Sequence, residues 1–174
     1  MSQNDSAFVD LLAETHHSAV HLELRDSYGI DEEAAEFRRW QAGWRPDPNP
    51  GTWWNEFHTW VRDATARGVG FRRARIVSEP VSDYIRYEHD STYQNIAAGE
   101  SVRWLPRRKA SDLSLPGNDF WLFDGRLIMW NHFTGDGGSA GPELDRRPDV
   151  ARFCATAFEA VWERATPHEE YKPV

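Results

Sequence analysis

The chain has 174 residues, of which 40% are hydrophobic and 13% aromatic, enough apolar material for a core and too much for a disordered segment. Its net charge of −8 and pI near 5.3 disfavour direct binding to nucleic acid, because a phosphate backbone needs a basic surface. A single cysteine, Cys154, excludes an internal disulfide and a cysteine-based zinc site. No run approaches the ~20 apolar residues of a membrane span, and Met1–Asp10 lacks the basic start and apolar stretch of a signal peptide. The expectation is a cytoplasmic single domain without cofactor. It is divided into a helix/strand/helix segment over 1–43, a proline-rich loop over 44–51 and a main body over 52–174.

In chain order, Phe8, Leu11 and Leu12 place a helix over Ser6–Glu14. From Ser18 to Arg25 the period changes to two, with Val20, Leu22 and Leu24 alternating with His21, Glu23 and Arg25, the pattern of a half-buried strand. Asp31 is suited to cap a helix over Glu32–Ala42 that stops at Gly43. The segment WRPDPNPG (Trp44–Gly51) holds three prolines and reads as a loop.

Thr52 is expected to cap a helix with Trp53, Phe57, Trp60, Val61 and Ala64 on one stripe, ending at Gly68. Phe71–Val77 reads as a strand, Ser78 with Pro80 opens a helix to about Ala98, and Ser101–Leu105 is a short strand. A basic loop then runs from Pro106 to Gly117.

Asp119–Phe123 and Arg126–Phe133 flank Asp124-Gly125, a dipeptide suited to a two-residue type I′ turn. Both strands are apolar on both faces, which predicts a central, covered hairpin. The glycine-rich segment Thr134–Gly141 reads as a turn and, lacking a following lysine, does not match a phosphate-binding loop. The last helix, Pro148–Ala165, is expected to bury Val150, Phe153, Cys154, Ala157 and Val161. The fold class is therefore α+β: a small, mostly antiparallel or mixed sheet of four or five strands with a central hairpin (119–133), flanked by about five helices.

Three groups of residues could carry function. A two-residue turn would pair Trp121 with Ile128 and Asp119 with Trp130, leaving Asp119 and His132 diagonal neighbours about 7–8 Å apart on one face. A carboxylate beside a histidine is the beginning of a general acid–base pair, as a small hydrolase or lyase would need, although no nucleophile motif accompanies it. Arg73 and Arg75 on one strand face, with Arg103 and Arg86, would form an anion pocket if they converge; the competing arrangement pairs them with Glu79, Asp83, Glu88 or Glu100. Trp40, Trp44 and Trp54 lie off the core stripes and are candidate anchors for a protein interface. No metal site is expected: His16 and His17 are adjacent and cannot share a face.

The segments RRARIVSEPVSDYIRYE (Arg72–Glu88), AGESVRWLPRR (Ala98–Arg108) and DFWLFDGRLIMWNHF (Asp119–Phe133) resemble an actinobacterial family, domain of unknown function 6879. The likeness includes HLELRDSY (His21–Tyr28) and VWERATPHEEY (Val161–Tyr171). Members of that family are often encoded beside Xre-type helix-turn-helix regulators. The resemblance therefore implies a regulatory or partner role. Together with the acidic charge, the surplus tryptophans and the missing catalytic motif, it gives the expectation of a non-enzymatic accessory protein that binds a basic, DNA-binding regulator. The order strand, helix, Gly-Glu, strand, hairpin is also similar to the sensor halves of phospholipase-D-like regulators. The His-x-Lys pattern of phosphodiester hydrolysis is missing, since neither His89 nor His132 has a lysine two residues on.

Overall fold

The computed structural model describes residues 3–29 and 31–174. Its elements are α1 (Gln3–Ala13), β1 (Ser18–Glu23), α2 (Asp31–Gln41), α3 (Glu56–Ala66), β2 (Gly70–Val77), α4 (Asp83–Ser91), α5 (Tyr93–Ala98), β3 (Glu100–Pro106), β4 (Asp119–Phe123), β5 (Leu127–Phe133), β6 (Ser139–Asp145), α6 (Pro148–Arg164) and β7 (Thr166–Pro167). The strands form one mixed seven-stranded sheet in the order β6-β5-β4-β1-β2-β3-β7. β1, β2 and β3 run parallel, and the remaining pairs are antiparallel.

The sheet is thus larger than the four or five strands read from sequence. The added strands are the two edges. β6 carries Gly141 and Pro142, residues that argue against a central strand and are tolerated at an edge, where a missing N–H costs no ladder bond. β7 is a two-residue pairing with Arg103 and Trp104 of β3.

One face of the sheet packs on α6 through Val20, Leu22, Ala74, Ile76, Phe120, Leu122 and Ile128 against Ala151, Cys154, Phe158 and Val161. Phe153, expected in that stripe, is 41% exposed, because it projects roughly a quarter-turn off the line of buried residues. The other face carries two separate apolar clusters. Phe8, Leu11, Val61, Ala64, Phe71, Trp121, Phe123 and Met129 form one, under α1 and α3. Trp40, Val77, Tyr84, Ile85, Tyr87, Trp104 and Tyr171 form the other, under α2 and α4.

Local chemistry explains the boundaries that differ from the sequence reading. Pro50–Thr52 is a 3₁₀ turn, and α3 starts only at Glu56. Its cap is Asn55, whose carboxamide oxygen accepts from the His58 N–H while His58 Nδ1 accepts from the Asn55 N–H, a reciprocal capping box. The helix opened by Ser78 in the sequence reading begins instead with Ser82 as cap, and it breaks at Thr92 into α4 and α5. The cap expected at Asp31 lies outside the described side chains.

The hairpin turn forms where expected, with Asp124 at φ 49° and Gly125 at φ 65°. Its register differs by one residue. Phe123 pairs with Leu127, Trp121 with Met129, and Asp119 with Asn131. The Asp124 carboxylate is committed elsewhere: it accepts from the backbone N–H groups of His16, His17 and Ser18, at 3.0, 2.7 and 3.0 Å, and so staples the hairpin tip to the start of β1. Burial alone would raise its pKa, but these donors hold it below the ordinary carboxylate value.

A candidate functional site in a buried polar band

Between the two apolar clusters lies a band of charged side chains that alternation places on the same sheet face: His21 and Glu23 of β1, Arg73 and Arg75 of β2, Glu100 of β3 and Asp119 of β4. All six are buried. Arg73 reaches Glu100 through Nε at 2.8 Å and Nη2 at 3.2 Å, and its Nη1 donates to Glu23. Arg75 donates to Glu88 of α4, and its Nε lies 2.9 Å from Glu23 Oε2, a charge contact poorly angled for a hydrogen bond. Asn95 Nδ2 completes Glu100 at 3.1 Å. Two guanidiniums therefore face three carboxylates, each carboxylate with a cationic neighbour. Burial would raise Glu23, but Arg75 and Arg73 outweigh it and hold its carboxyl well below the usual range.

His21 stacks on Trp121 with ring centroids 4.2 Å apart, and its Nε2 lies 3.3 Å from Asn131 Nδ2. With the amide N–H₂ donating there, the remaining ring proton belongs on Nδ1, which faces Glu23 Oε1 at 3.4 Å. Burial, reinforced by Arg73, lowers the pKa of His21 to about 3, so the ring is neutral. Asp119 accepts from the Leu24 N–H at 3.0 Å and from the Tyr28 hydroxyl. Burial pushes its carboxyl up to about 6, and nearby Glu23 adds to that effect.

The candidate residues read from sequence are distributed as follows. Asp119 and His132 do not meet. Because Asp119 pairs with Asn131, His132 projects to the opposite face, where its Nε2 contacts Glu143 Oε2 at 3.0 Å. The expected shared face rested on a two-residue loop, and one extra residue between the paired positions inverts it. Arg73 and Arg75 do converge, on Glu23, Glu88 and Glu100 and not on an open pocket. Arg103 lies on the other face of the sheet, donating to the Trp162 carbonyl at 2.9 Å with its guanidinium 4.4 Å from the Trp162 ring. Arg86 is half-buried on α4, outside the sheet.

Trp40, expected at an interface, is buried, its Nε1 donating to Asp90 at 2.8 Å. Trp44 is half-buried beneath the Arg39 guanidinium at 4.3 Å. Trp54 is half-buried, with Nε1 bonded to Thr59 at 2.8 Å. A surface cleft of about 330 Å³ lies at the far end of the hairpin, lined by Leu11, Glu14, Phe123, Leu127 and Arg146 among others, and contains none of the band.

Sequence reasoning missed His21, Glu23, Tyr28 and Asn131. The signal was present in the shared period of β1 and β2, where acidic and basic side chains alternate in adjacent strands. Alternation in β1 pointed instead to a solvent-facing polar side.

A mixed sheet with helices on both faces and a closed polar centre defines an α+β fold in which function depends on what the centre and the surface present. The chain belongs to the family described as domain of unknown function 6879 (DUF6879), whose model matches residues 6–173. No curated protein is similar in sequence at a significant level. Among solved structures, the chain is similar to Nuc, a phospholipase D family member from Salmonella typhimurium, at TM-score 0.54 and 9% identity over 94% of this chain and 89% of that one. NucT from Helicobacter pylori gives 0.55 and 9%, covering 95% and 91%. TrmBL2, an archaeal chromatin protein with a novel mode of DNA binding, gives 0.51 and 10%, covering 93% of this chain and 49% of that one. At such identities the likeness concerns the fold.

Proposed function

We propose that this protein is a non-enzymatic accessory factor that acts by binding another protein, and that its partner is a basic helix-turn-helix regulator of the Xre type. The observation that carries this reading is the self-neutralised centre of the sheet. Arg73 and Arg75 are committed to Glu23, Glu88 and Glu100, leaving no guanidinium of the band turned toward a ligand. The two residues best suited to acid–base chemistry in the hairpin, Asp119 and His132, occupy opposite faces. The net charge of −8 favours a cationic partner over a phosphate backbone.

The experiment is affinity capture from the native host with the full chain as bait, followed by mass spectrometry. The reading expects a helix-turn-helix regulator in the captured fraction, lost at high salt. Phosphodiester turnover by the purified protein, or capture without any regulator, contradicts it.

A further inference from the structure

Nine tryptophans occur in the chain, and the fold occupies most of them internally. Trp121 carries His21, Trp104 stacks on Tyr171, Trp162 lies beneath Arg72 and Arg103, and Trp40 and Trp44 lie beneath Arg45 and Arg39. At the entry to α3 the aromatic side chains pack only in part on the cluster under α1 and α3, to which Trp54, Phe57 and Trp60 contribute, with the His58 ring 5.0 Å from Trp53 and 5.5 Å from Trp54. Trp53, Trp54, Phe57 and Trp60 crowd there within eight residues, all half-buried. Trp53 and Trp54 are 5.7 Å apart between ring centroids, and Trp53 stands edge-on to Tyr93 at 5.5 Å. The Trp53 indole N–H is buried and meets no acceptor among the described residues.

We infer that this aromatic corner is a docking surface whose occupant is an arginine-presenting segment of a protein partner. The inference rests on the accessory reading above and assigns its contact surface. Two features select arginine. The molecule is acidic, and Glu56 is exposed beside the corner in the first turn of α3. The protein also places its own guanidiniums over indole faces repeatedly. At this corner only Trp54 is so served, by Arg62 at 5.6 Å, and among the described residues none lies over Trp53 or Trp60. A planar guanidinium stacks on an indole where an ammonium makes only a point contact.

The test titrates wild type and a Trp53→Leu/Trp60→Leu variant with deca-arginine and deca-lysine peptides at physiological salt, followed by fluorescence anisotropy of labelled peptide. The expected result is arginine binding roughly tenfold tighter than lysine, and a roughly tenfold loss in the variant at a temperature where its thermal melt shows it fully folded. If the double variant is unstable, Trp53→Leu alone carries the same comparison. Equal affinity for the two peptides, an unaffected variant, or no arginine binding overturns the assignment. Host capture separates the two levels. A regulator still recovered by the variant removes this surface and leaves the accessory reading standing, whereas a regulator recovered by neither protein removes the reading itself.

Discussion

Asp124 shows how one side chain can tie the tip of a hairpin to a distant strand. Its sequence context, Asp-Gly between apolar runs, announces a tight turn, and both residues do adopt positive φ. The sequence does not announce that the carboxylate gathers three backbone N–H groups from 16–18, more than a hundred residues away. Asp124→Ala leaves those donors to water or to nothing and is expected to cost about 1–3 kcal/mol. Chemical denaturation measures it, and a loss below about 0.5 kcal/mol would show that the staple contributes little. Gly125→Val forces a β-branched residue to φ 65° and is expected to cost about 1–3 kcal/mol through backbone strain, read in the same experiment.

The histidines give a pH dependence at the same scale. His168 accepts from Trp104 Nε1 at 3.2 Å and lies 4.5 Å from the His89 ring; burial, then His89, lowers its pKa to about 4. His21 is lowered further, to about 3. The unfolded chain takes up these protons near pH 6.5 and the folded protein does not. Their stabilisation is therefore complete above about pH 6.5 and is lost as pH falls toward 4. Asp119, raised to about 6, works in the opposite sense: between about 3.8 and 6 the folded state holds a proton that the unfolded state lacks, which adds stability on acidification. With two histidines against one carboxyl, stability is expected to fall between about pH 7 and pH 5, and to fall less in His168→Gln. An identical pH profile for that variant would remove His168 from the account.

At the scale of elements, the polar band joins strands that the chain separates widely. Glu23 and Arg73 are 50 residues apart, and Arg73 and Glu100 are 27 apart. Such pairings are invisible to periodicity, which reports which residues share a face and not which strand lies alongside. The sequence did name Glu88 and Glu100 among the possible partners of the arginines; the pairing of β2 with β3 brings Glu100 to Arg73, and the packing of α4 brings Glu88 to Arg75. The apolar strands β4 and β5 were legible because both faces are covered. β6 was not, because glycine and proline at an edge look like a loop.

A buried pair broken on one side leaves an uncompensated charge, so Arg73→Met is expected to destabilise by about 3–5 kcal/mol. The double variant Arg73→Met/Glu100→Leu should cost less than the sum of its single changes. A double-mutant cycle with additive energies would show that the two residues are not coupled.

For the whole molecule, the fold is similar to that of Nuc and NucT, while the centre of one face is a closed set of ion pairs and aromatic stacks. Among the described residues no helix is long and apolar enough to cross a membrane. The accessory reading follows from a centre whose charges are consumed internally and a surface that keeps a net negative charge and an aromatic corner. The regulator's binding energy should come from a few aromatic anchors, with electrostatics setting the encounter rate.

The most direct test of that claim is the mobility of operator DNA with an Xre-type helix-turn-helix regulator recovered by host capture, with and without the protein present, at low and high salt. The account predicts that the protein alone leaves the DNA unshifted and that it alters the regulator's shift at low salt. It also predicts that the alteration weakens as salt rises. A shift produced by the protein alone, or a regulator shift unchanged at every salt concentration, would contradict it.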